Sequence, residues 1–295
     1  MAKIILIDGS SFIHRAFHAF SKYGLTNKQG DSSGAIYGVR NMMLGILSTK
    51  PEYAVFVVDP RGRNFRHAIY PEYKSSREGN PEIHKQIQPI IDMVKLMGMP
   101  VLRIKRYEAD DVIGTIAVRE AEAGHDVVVY TGDKDFCQLV NKQISLYDSM
   151  KKETTTRKDV IRKYGIKPSQ FIDFLALQGD SSDDIPGVVG CGPGTATKLL
   201  VEYGTLKAVL KADTKDKNVN KVVKDMKNAI LSKALATICL TVPDVPKKRS
   251  FKLEPIDQSG LKSFLAKWGI NSKTAEKTKR TGNSYKPKTN LWKRP

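Results

Sequence analysis

The segment Lys3–Asp8, KIILID, decides the fold, because it is a short run of Ile and Leu that ends on an aspartate. Three further segments are short, apolar and rich in Val or Ile, as buried strands are: 54–59, 101–104 and 127–131. Between the strands, apolar residues recur at helical spacing over 34–47, 83–97 and 108–122. This alternation predicts an α/β fold with a central, mostly parallel sheet flanked by helices.

The second half of the chain has a different pattern. After about residue 147 the strand signal fades, and the sequence predicts short helices at 157–164, 168–178, 195–203 and 205–210. We therefore divide the chain into an α/β region (1–150), a mainly helical region (151–270) and a basic tail (271–295). The tail is predicted to be disordered because it has almost no core-forming residues.

The composition limits the possible functions. The chain has 49 Lys and Arg against 31 Asp and Glu, a net charge of +18 that favours a polyanionic partner. No apolar run approaches the ~18 residues of a membrane span, and Asp8 interrupts the opening segment before a signal-peptide core could form. The three cysteines lack CxxC spacing, which argues against a zinc ribbon or disulfide framework and favours a reducing compartment.

Carboxylates follow the predicted strands. Asp8, Asp59 and Asp133 come at or just after the ends of three strands, where ligands bind in open α/β sheets. Each aspartate alone could be a helix cap. Many carboxylates together would repel one another unless hard divalent cations such as Mg²⁺ or Mn²⁺ were bound. The candidate metal ligands are Asp8, Asp59, Glu108, Asp110, Asp111, Asp133, Asp135, Asp180 and Asp183.

Other chemistries fit the sequence less well. His14 and His18 are four residues apart on a predicted helix and could bind zinc, but no third ligand accompanies them, so packing or phosphate contact is favoured. Neither a GxSxG nor a GxxxxGK[ST] motif is present, which argues against serine hydrolase and P-loop chemistry.

Two segments are typical of nucleic-acid contact. The sequence GVVGCGPG (187–194) permits a tight hairpin whose backbone N–H groups could bind phosphate, although it could also be a helix connector without a ligand. Segment 61–77 mixes basic and aromatic residues, as suits an unstacked single strand; the alternative is a solvated basic loop.

Six motifs occur in colinear order: DGSS (8–11), VVDP (57–60), YPEYKSSR (70–77), YEADD (107–111), TGDKD (131–135) and GDSSDDIPGVVGCGPGTATKLL (179–200). In these motifs the chain resembles the 5′-3′ exonuclease/flap endonuclease family, including the nuclease domain of bacterial DNA polymerase I and stand-alone bacteriophage enzymes. The resemblance implies a helical arch at about 61–98 and a helix-two-turn-helix motif at about 179–203. The chain departs from the family pattern at Asp184, where the family has Asn, and at Cys191, where it has Ile.

The resemblance also implies an activity and residue roles. A metal-dependent, structure-specific 5′ nuclease would hydrolyse DNA at 5′ ends and 5′ flaps during primer removal, replication or repair. One of two Mg²⁺ ions, for which Mn²⁺ could substitute, would be held by Asp8, Asp59, Glu108 and Asp110, and the other by Asp135, Asp180 and Asp183, with Asp111 and Asp133 between them or acting through water. Lys74 and Arg77 would act on the scissile phosphate. DNA would be contacted by Arg15, Arg66, Tyr73, Gly190, Gly192, Gly194, Thr195 and Lys198, and K⁺ could bind at the hairpin.

The expected partners are DNA with a 5′ flap or 5′ end and RNA primer–DNA hybrids, with no membrane. The protein is expected to be a cytoplasmic monomer in a bacterial cell or phage-infected host. The tail could contact DNA, aid solubility, or bind a replication protein through Leu291 and Trp292. Two other functions stay open: a non-catalytic DNA-binding protein and a PIN-like ribonuclease. The glycine hairpin favours the 5′ nuclease over the PIN-like ribonuclease.

Overall fold

The computed structural model describes residues 2–77 and 79–270. Within them the chain forms two compact units, of which unit 1 comprises residues 2–59, 79–103 and 246–270, and unit 2 comprises residues 60–77 and 104–245. The predicted tail lies outside the described residues, and the division of the sequence near residue 150 stays a prediction. No helix in the described ranges is long and apolar enough to cross a membrane.

The described residues contain six strands and twelve α-helices. The strands are β1 (Lys3–Asp8), β2 (Tyr53–Val57), β3 (Val101–Leu102), β4 (Asp126–Tyr130), β5 (Ile144–Asp148) and β6 (Glu153–Thr155). The helices are α1 (Gly9–Phe20), α2 (Gly34–Leu47), α3 (Arg66–Ile69), α4 (Pro81–Leu96), α5 (Ala109–Glu122), α6 (Arg157–Tyr164), α7 (Phe171–Gln178), α8 (Pro193–Tyr203), α9 (Leu206–Lys211), α10 (Lys217–Lys224), α11 (Met226–Ala236) and α12 (Gln258–Lys267).

Unit 1 is built on three parallel strands in the order β3-β2-β1. The apolar residues of β1 and β2 are buried on both faces, as expected of strands covered by helices. Helix α4 supports the start of α2, because Oε1 of the buried Gln86 accepts the backbone N–H of Ala35 at 3.0 Å. This side chain satisfies a donor that the first turn of a helix otherwise leaves unpaired.

Unit 2 combines a small mixed sheet with most of the helices. Strands β4 and β5 are parallel, and β6 runs antiparallel to β5. Helices α7 and α11 pack together, and Phe136 and Phe171 are fully buried within this unit. The loop after α7 is fixed to α11, because the backbone N–H of Gly187 donates to Oγ of Ser232 at 2.8 Å.

The predicted fold class is confirmed: the strands are mostly parallel, helices flank them, and the second half is mainly helical. Strands β5 and β6 were not predicted, because the prediction of strands rests on continuous apolar runs alone. The alternation of ISLYD was an unused strand signal, and β6 has only three residues, ETT. The predicted helix at 168–178 begins instead with a 3₁₀ turn, Pro168–Gln170. Helices α10 and α11 were not predicted, although Val219, Val222 and Leu235 give them a buried face.

Candidate active site

Unit 1 carries two of the predicted metal ligands, at the carboxyl ends of neighbouring strands. Asp8 is buried where β1 passes into α1, and its carboxylate accepts the backbone N–H of Ser11 at 2.9 Å. Asp59 follows β2, and its backbone N–H donates to Oγ of Ser10 at 2.9 Å. The helix start after β1 therefore positions both aspartates. The predicted phosphate contact Arg15 is half-buried on α1.

In unit 2 the YEADD motif begins α5 as a capping box. Glu108 is the N-cap residue, and its backbone N–H donates to Oδ2 of Asp111 at 3.1 Å. Reciprocal capping of this kind satisfies backbone N–H donors that the first turn of a helix otherwise leaves unpaired. The motif thus fixes the carboxylate of Glu108 at a defined place on the start of α5.

Arg66 lies inside unit 2 and neutralises this helix start. Its guanidinium donates to both oxygens of Asp111 at 2.8 Å, to Glu108 at 3.0 Å, and to the carbonyls of Leu235 and Thr237. Burial alone would lower the pKa of Arg66, but the hydrogen bond and charge of Asp111 raise it. With 3% of its surface exposed, Arg66 is not available to DNA, which corrects its predicted role.

Two more predicted roles change with this network. Asp111 is 0% exposed, and its carboxylate also accepts the backbone N–H of Cys239 at 2.8 Å. Its oxygens are thus engaged with protein donors, so Asp111 is a structural acid rather than a metal ligand. Tyr73, predicted to contact DNA, is buried with its hydroxyl donating to Glu108 at 3.0 Å, and burial raises its pKa.

Lys74 and Arg77 lie against the carboxylates of unit 2. Nζ of Lys74 is 2.5 Å from Glu108 and 3.4 Å from Asp183. Burial would lower the pKa of Lys74, but Glu108 raises it well above its ordinary value, so the side chain stays charged at neutral pH. Arg77 pairs with Asp183 and donates from Nε to the carbonyl of Ser182 at 2.9 Å.

The TGDKD motif places two more acids in this cluster. Oδ1 of Asp133 accepts the backbone N–H of Asp135 at 2.9 Å, which folds the motif into a tight turn. Oδ1 of Asp135 is itself buried and has no hydrogen-bond partner. Burial first, and the neighbouring charge of Asp133 second, raise the pKa of Asp135 to about 8. An acid in this environment is stabilised by a nearby cation.

The acidic loop, residues 180–184, completes the cluster. Asp180 accepts both the backbone N–H of Ser182 at 2.9 Å and its hydroxyl at 2.7 Å. Lys134 forms an ion pair with Asp180 at 2.8 Å. Lys134 is not among the predicted site residues, although its position between Asp133 and Asp135 in TGDKD was a signal for it.

The donor set of unit 2 fits a hard divalent cation. Carboxylate oxygens are the ligands that Mg²⁺ prefers, and the unpaired oxygen of Asp135 lies among like charges. In the described residues, no three acidic, histidine or cysteine side chains are close enough to enclose one ion directly. Water, which commonly stays bound to Mg²⁺, would supply the remaining ligands. The half-buried Asp110 lies on the first turn of α5, where its charge acts on Lys74.

The predicted hairpin lies between α7 and α8. Gly190 has a φ of +73°, which glycine adopts readily, and Gly192 is the N-cap residue of α8. A Cβ atom added at Gly192 or Gly194 would meet no atom within 4 Å, so this backbone is open to a ligand. The hairpin is held from α11, because the N–H of Val189 donates to Asp225 at 3.0 Å. Helix α8 begins at Pro193, and Thr195 is half-buried and Lys198 exposed.

Two family models together match most of the chain. Residues 3–165 match the family model described as 5′-3′ exonuclease, N-terminal resolvase-like domain, and residues 166–259 match 5′-3′ exonuclease, C-terminal SAM fold. A 5′-3′ exonuclease of Aquifex aeolicus is 38% identical over 213 residues, which cover 72% of this chain and 73% of that protein.

Longer relatives share the same region. A DNA polymerase I of Pseudomonas aeruginosa is 42% identical over 69% of this chain and 22% of the polymerase, and a thermostable DNA polymerase I of Thermus thermophilus is 36% identical over 92% and 32%. The chain thus spans about a fifth to a third of these polymerases. These matches define an enzyme of the nuclease class. The chain belongs to the 5′-3′ exonuclease family.

Solved structures share the fold at low sequence identity. The T5 5′-exonuclease, in a structure with bound zinc ions, has a TM-score of 0.69 at 19% identity and covers 89% of this chain and 96% of its own. The catalytic core of Rad2, in complex with DNA substrate, has a TM-score of 0.60 at 17% identity and covers 96% and 92%. The family assignment disfavours both the non-catalytic and the PIN-like alternatives.

Proposed function

We propose that this 5′-3′ exonuclease uses Mg²⁺ to hydrolyse phosphodiesters at DNA 5′ ends and 5′ flaps. The observation that carries the proposal is the convergence in unit 2 of Lys74 and Arg77 on Glu108 and Asp183, with the unpaired oxygen of Asp135 in the same acidic cluster. Metal-bearing and DNA-bearing relatives of the same fold support it.

The residues proposed to hold metal in unit 2 are Glu108, Asp110, Asp133, Asp135, Asp180 and Asp183. Asp8 and Asp59 remain predicted ligands on the basis of the family motifs. Divalent ions, when bound, would lower the pKa of an attacking water and neutralise charge in the transition state. Because Asp111 is committed to Arg66, we leave it out of this set.

Lys74 and Arg77 are proposed to neutralise charge on the scissile phosphate. In the structure their charges are balanced by carboxylates. A phosphate entering the cluster would compete for the same donors, and both cations could then stabilise the charge that develops on its oxygens. The high pKa of Lys74 keeps it charged for this role across the neutral pH range.

The hairpin is proposed to bind the duplex part of the substrate. Its exposed glycines allow a phosphate to approach the backbone N–H groups at the start of α8, and Thr195 and Lys198 lie on the same helix. K⁺ binding at this hairpin belongs to the same proposal. RNA primer–DNA hybrids as substrates, the helical arch, a replication partner and a cytoplasmic monomer remain predictions.

The Asp183→Asn variant tests the proposed function. On a 5′-flap duplex in Mg²⁺, we expect single-turnover cleavage to fall at least 100-fold, on the order of one lost electrostatic interaction in a transition state. Flap binding measured without Mg²⁺ should stay near that of the parent, because affinity comes mainly from Lys and Arg contacts.

The matched control is Asp213→Asn, which removes the same charge from an exposed aspartate of the α9–α10 loop. It should cleave at the parental rate. If Asp183→Asn also cleaves at that rate, the proposed metal site is wrong. If the parent degrades 5′ ends but leaves flaps intact, only the flap part of the proposal fails.

A further inference from the structure

Besides the ion pairs of Lys74 and Arg77 with Asp183, three hydrogen bonds fasten residues 74–77 to the acidic loop within unit 2. The backbone N–H of Lys74 donates to the carbonyl of Asp183 at 3.0 Å. Nε of Arg77 donates to the carbonyl of Ser182 at 2.9 Å. The backbone N–H of Ser76 donates to Oδ2 of Asp184 at 2.8 Å. Of these three acceptors, only that of Asp184 is a side chain, so a substitution can remove it.

The backbone on both sides of this attachment is in an uncommon conformation. Lys74 and Asp184 both have a φ of +55°, in the left-handed region. Aspartate tolerates this conformation, but for lysine it is unfavourable and persists only where surrounding contacts hold the residue. In this conformation the ammonium group of Lys74 lies beside the carboxylates of Glu108 and Asp183.

We propose that Asp184 is a positioning residue for cleavage: its side chain holds Ser76 and thereby keeps Lys74 and Arg77 in their places beside Glu108 and Asp183. The inference rests on the proposed function, in which these two cations act on the scissile phosphate. It concerns the one position of the GDSSDD segment where the chain departs from the family's asparagine.

The role requires an acceptor oxygen and a left-handed backbone, but not a negative charge. Asparagine supplies both requirements, since its side-chain carbonyl accepts a hydrogen bond and it tolerates positive φ. Glycine supplies only the backbone conformation, and alanine supplies neither. The three variants Asp184→Asn, Asp184→Gly and Asp184→Ala therefore separate acceptor, charge and strain.

The experiment measures single-turnover cleavage of a 5′-flap duplex at saturating enzyme in Mg²⁺, with the full chain. We expect Asp184→Asn to cleave like the parent and Asp184→Gly to be slower by about tenfold, because misplacement of a catalytic group commonly costs up to 100-fold. Hydrogen exchange of the Ser76 amide should be slow in the parent and the Asn variant and faster in the Gly variant. The free energy of unfolding should change little in both.

Combination with Lys74→Ala shows whether Asp184 acts through Lys74. If it does, Asp184→Gly should reduce the cleavage rate much less in the Lys74→Ala background than it does in the parent protein. Such non-additivity is the signature of coupled residues. Parental cleavage by Asp184→Gly, or equal losses in the Asn and Gly variants, would overturn the inference. If Lys74→Ala itself cleaves normally, the proposed function fails instead, so the two failures are distinguishable.

Discussion

Both terminal nitrogens of Arg66 donate to the two oxygens of Asp111, each at 2.8 Å, although the residues are 45 positions apart. The pair is almost entirely buried and connects the first residue of α3 to the first turn of α5. A buried pair with all its donors used holds two chain segments in one arrangement. Arg66 also donates a hydrogen bond to the carboxylate of Glu108 and therefore helps to fix the position of that side chain.

Replacing Arg66 by Met should destabilise the protein. Removal of one partner from a buried pair leaves an uncompensated charge and costs about 3–5 kcal/mol. Urea unfolding measures the effect, and Arg61→Met, at an exposed arginine nearby in sequence, is the control that should be nearly neutral. Unchanged stability of Arg66→Met together with weaker flap binding would restore Arg66 as a DNA contact.

Lys74→Ala should slow the chemical step. We expect a loss of about 100-fold or more in single-turnover cleavage at saturating enzyme, the range for removal of a donor that stabilises developing charge. Lys74→Arg should keep part of the rate, because it keeps the positive charge. Lys151→Ala, at an exposed lysine, serves as the control. A defect that disappears at saturating enzyme would assign Lys74 to binding alone.

The raised pKa of Asp135 predicts how stability depends on pH in the metal-free protein. A carboxyl group with a pKa of about 8 when folded and about 4 when unfolded binds protons more tightly in the folded state. The free energy of unfolding should therefore fall as pH rises from about 4 to about 8. Asp135→Asn should reduce this fall and be more stable than the parent at pH 8 in EDTA.

Urea unfolding at pH 5 and pH 8 measures the difference. Adding Mg²⁺ at pH 8 should stabilise the parent more than Asp135→Asn, since an ion that binds only the folded state raises its stability. Identical pH dependence in the two proteins would show that Asp135 ionises as an ordinary surface acid.

The first and last glycines of the hairpin should respond differently to substitution by alanine. At Gly187, φ is +64° and a Cβ atom would lie 2.5 Å from the backbone nitrogen of Gly179, so Gly187→Ala should cost about 1–3 kcal/mol of stability. At Gly194 the added atom meets nothing, and stability should be kept. Gly194→Ala should instead weaken flap binding several-fold, measured by fluorescence anisotropy. Unchanged binding would mean that phosphate does not approach the backbone there.

The tail should contribute salt-dependent affinity without being needed for cleavage. Residues 271–295 contain eight Lys and Arg and one Glu, and each phosphate contact steepens the dependence of binding on salt. A protein ending at Ile270 should show a shallower salt slope in flap binding and a normal single-turnover rate. An unchanged salt slope would exclude DNA contact by the tail and leave solubility or the binding of a replication protein as its role. Loss of cleavage would show that the tail belongs to the catalytic region.

The features that sequence predicted best are those with a local cause. Continuous apolar strands such as KIILID, and a helix with regularly spaced apolar residues such as α2, depend on neighbouring residues alone. The role of Arg66 does not, because an arginine in a basic loop has the same local pattern whether it faces solvent or a buried acid distant in sequence. The hydrogen bond between Ser76 and Asp184 could not be predicted from the sequence for the same reason, since it joins residues 108 positions apart.

The chain enters and leaves unit 1 repeatedly, which has a consequence for synthesis. Unit 1 needs residues 2–59, 79–103 and 246–270, so its last strand-supporting segment leaves the ribosome after all of unit 2 has been made. Unit 2, which is complete at residue 245, can therefore begin to fold first, whereas β2 gains its contacts with Phe251 and its neighbours only later. An N-terminal fragment that stops near residue 150 would contain neither unit whole, and ribosome stalling before residue 270 would leave the apolar strands of unit 1 without their final cover.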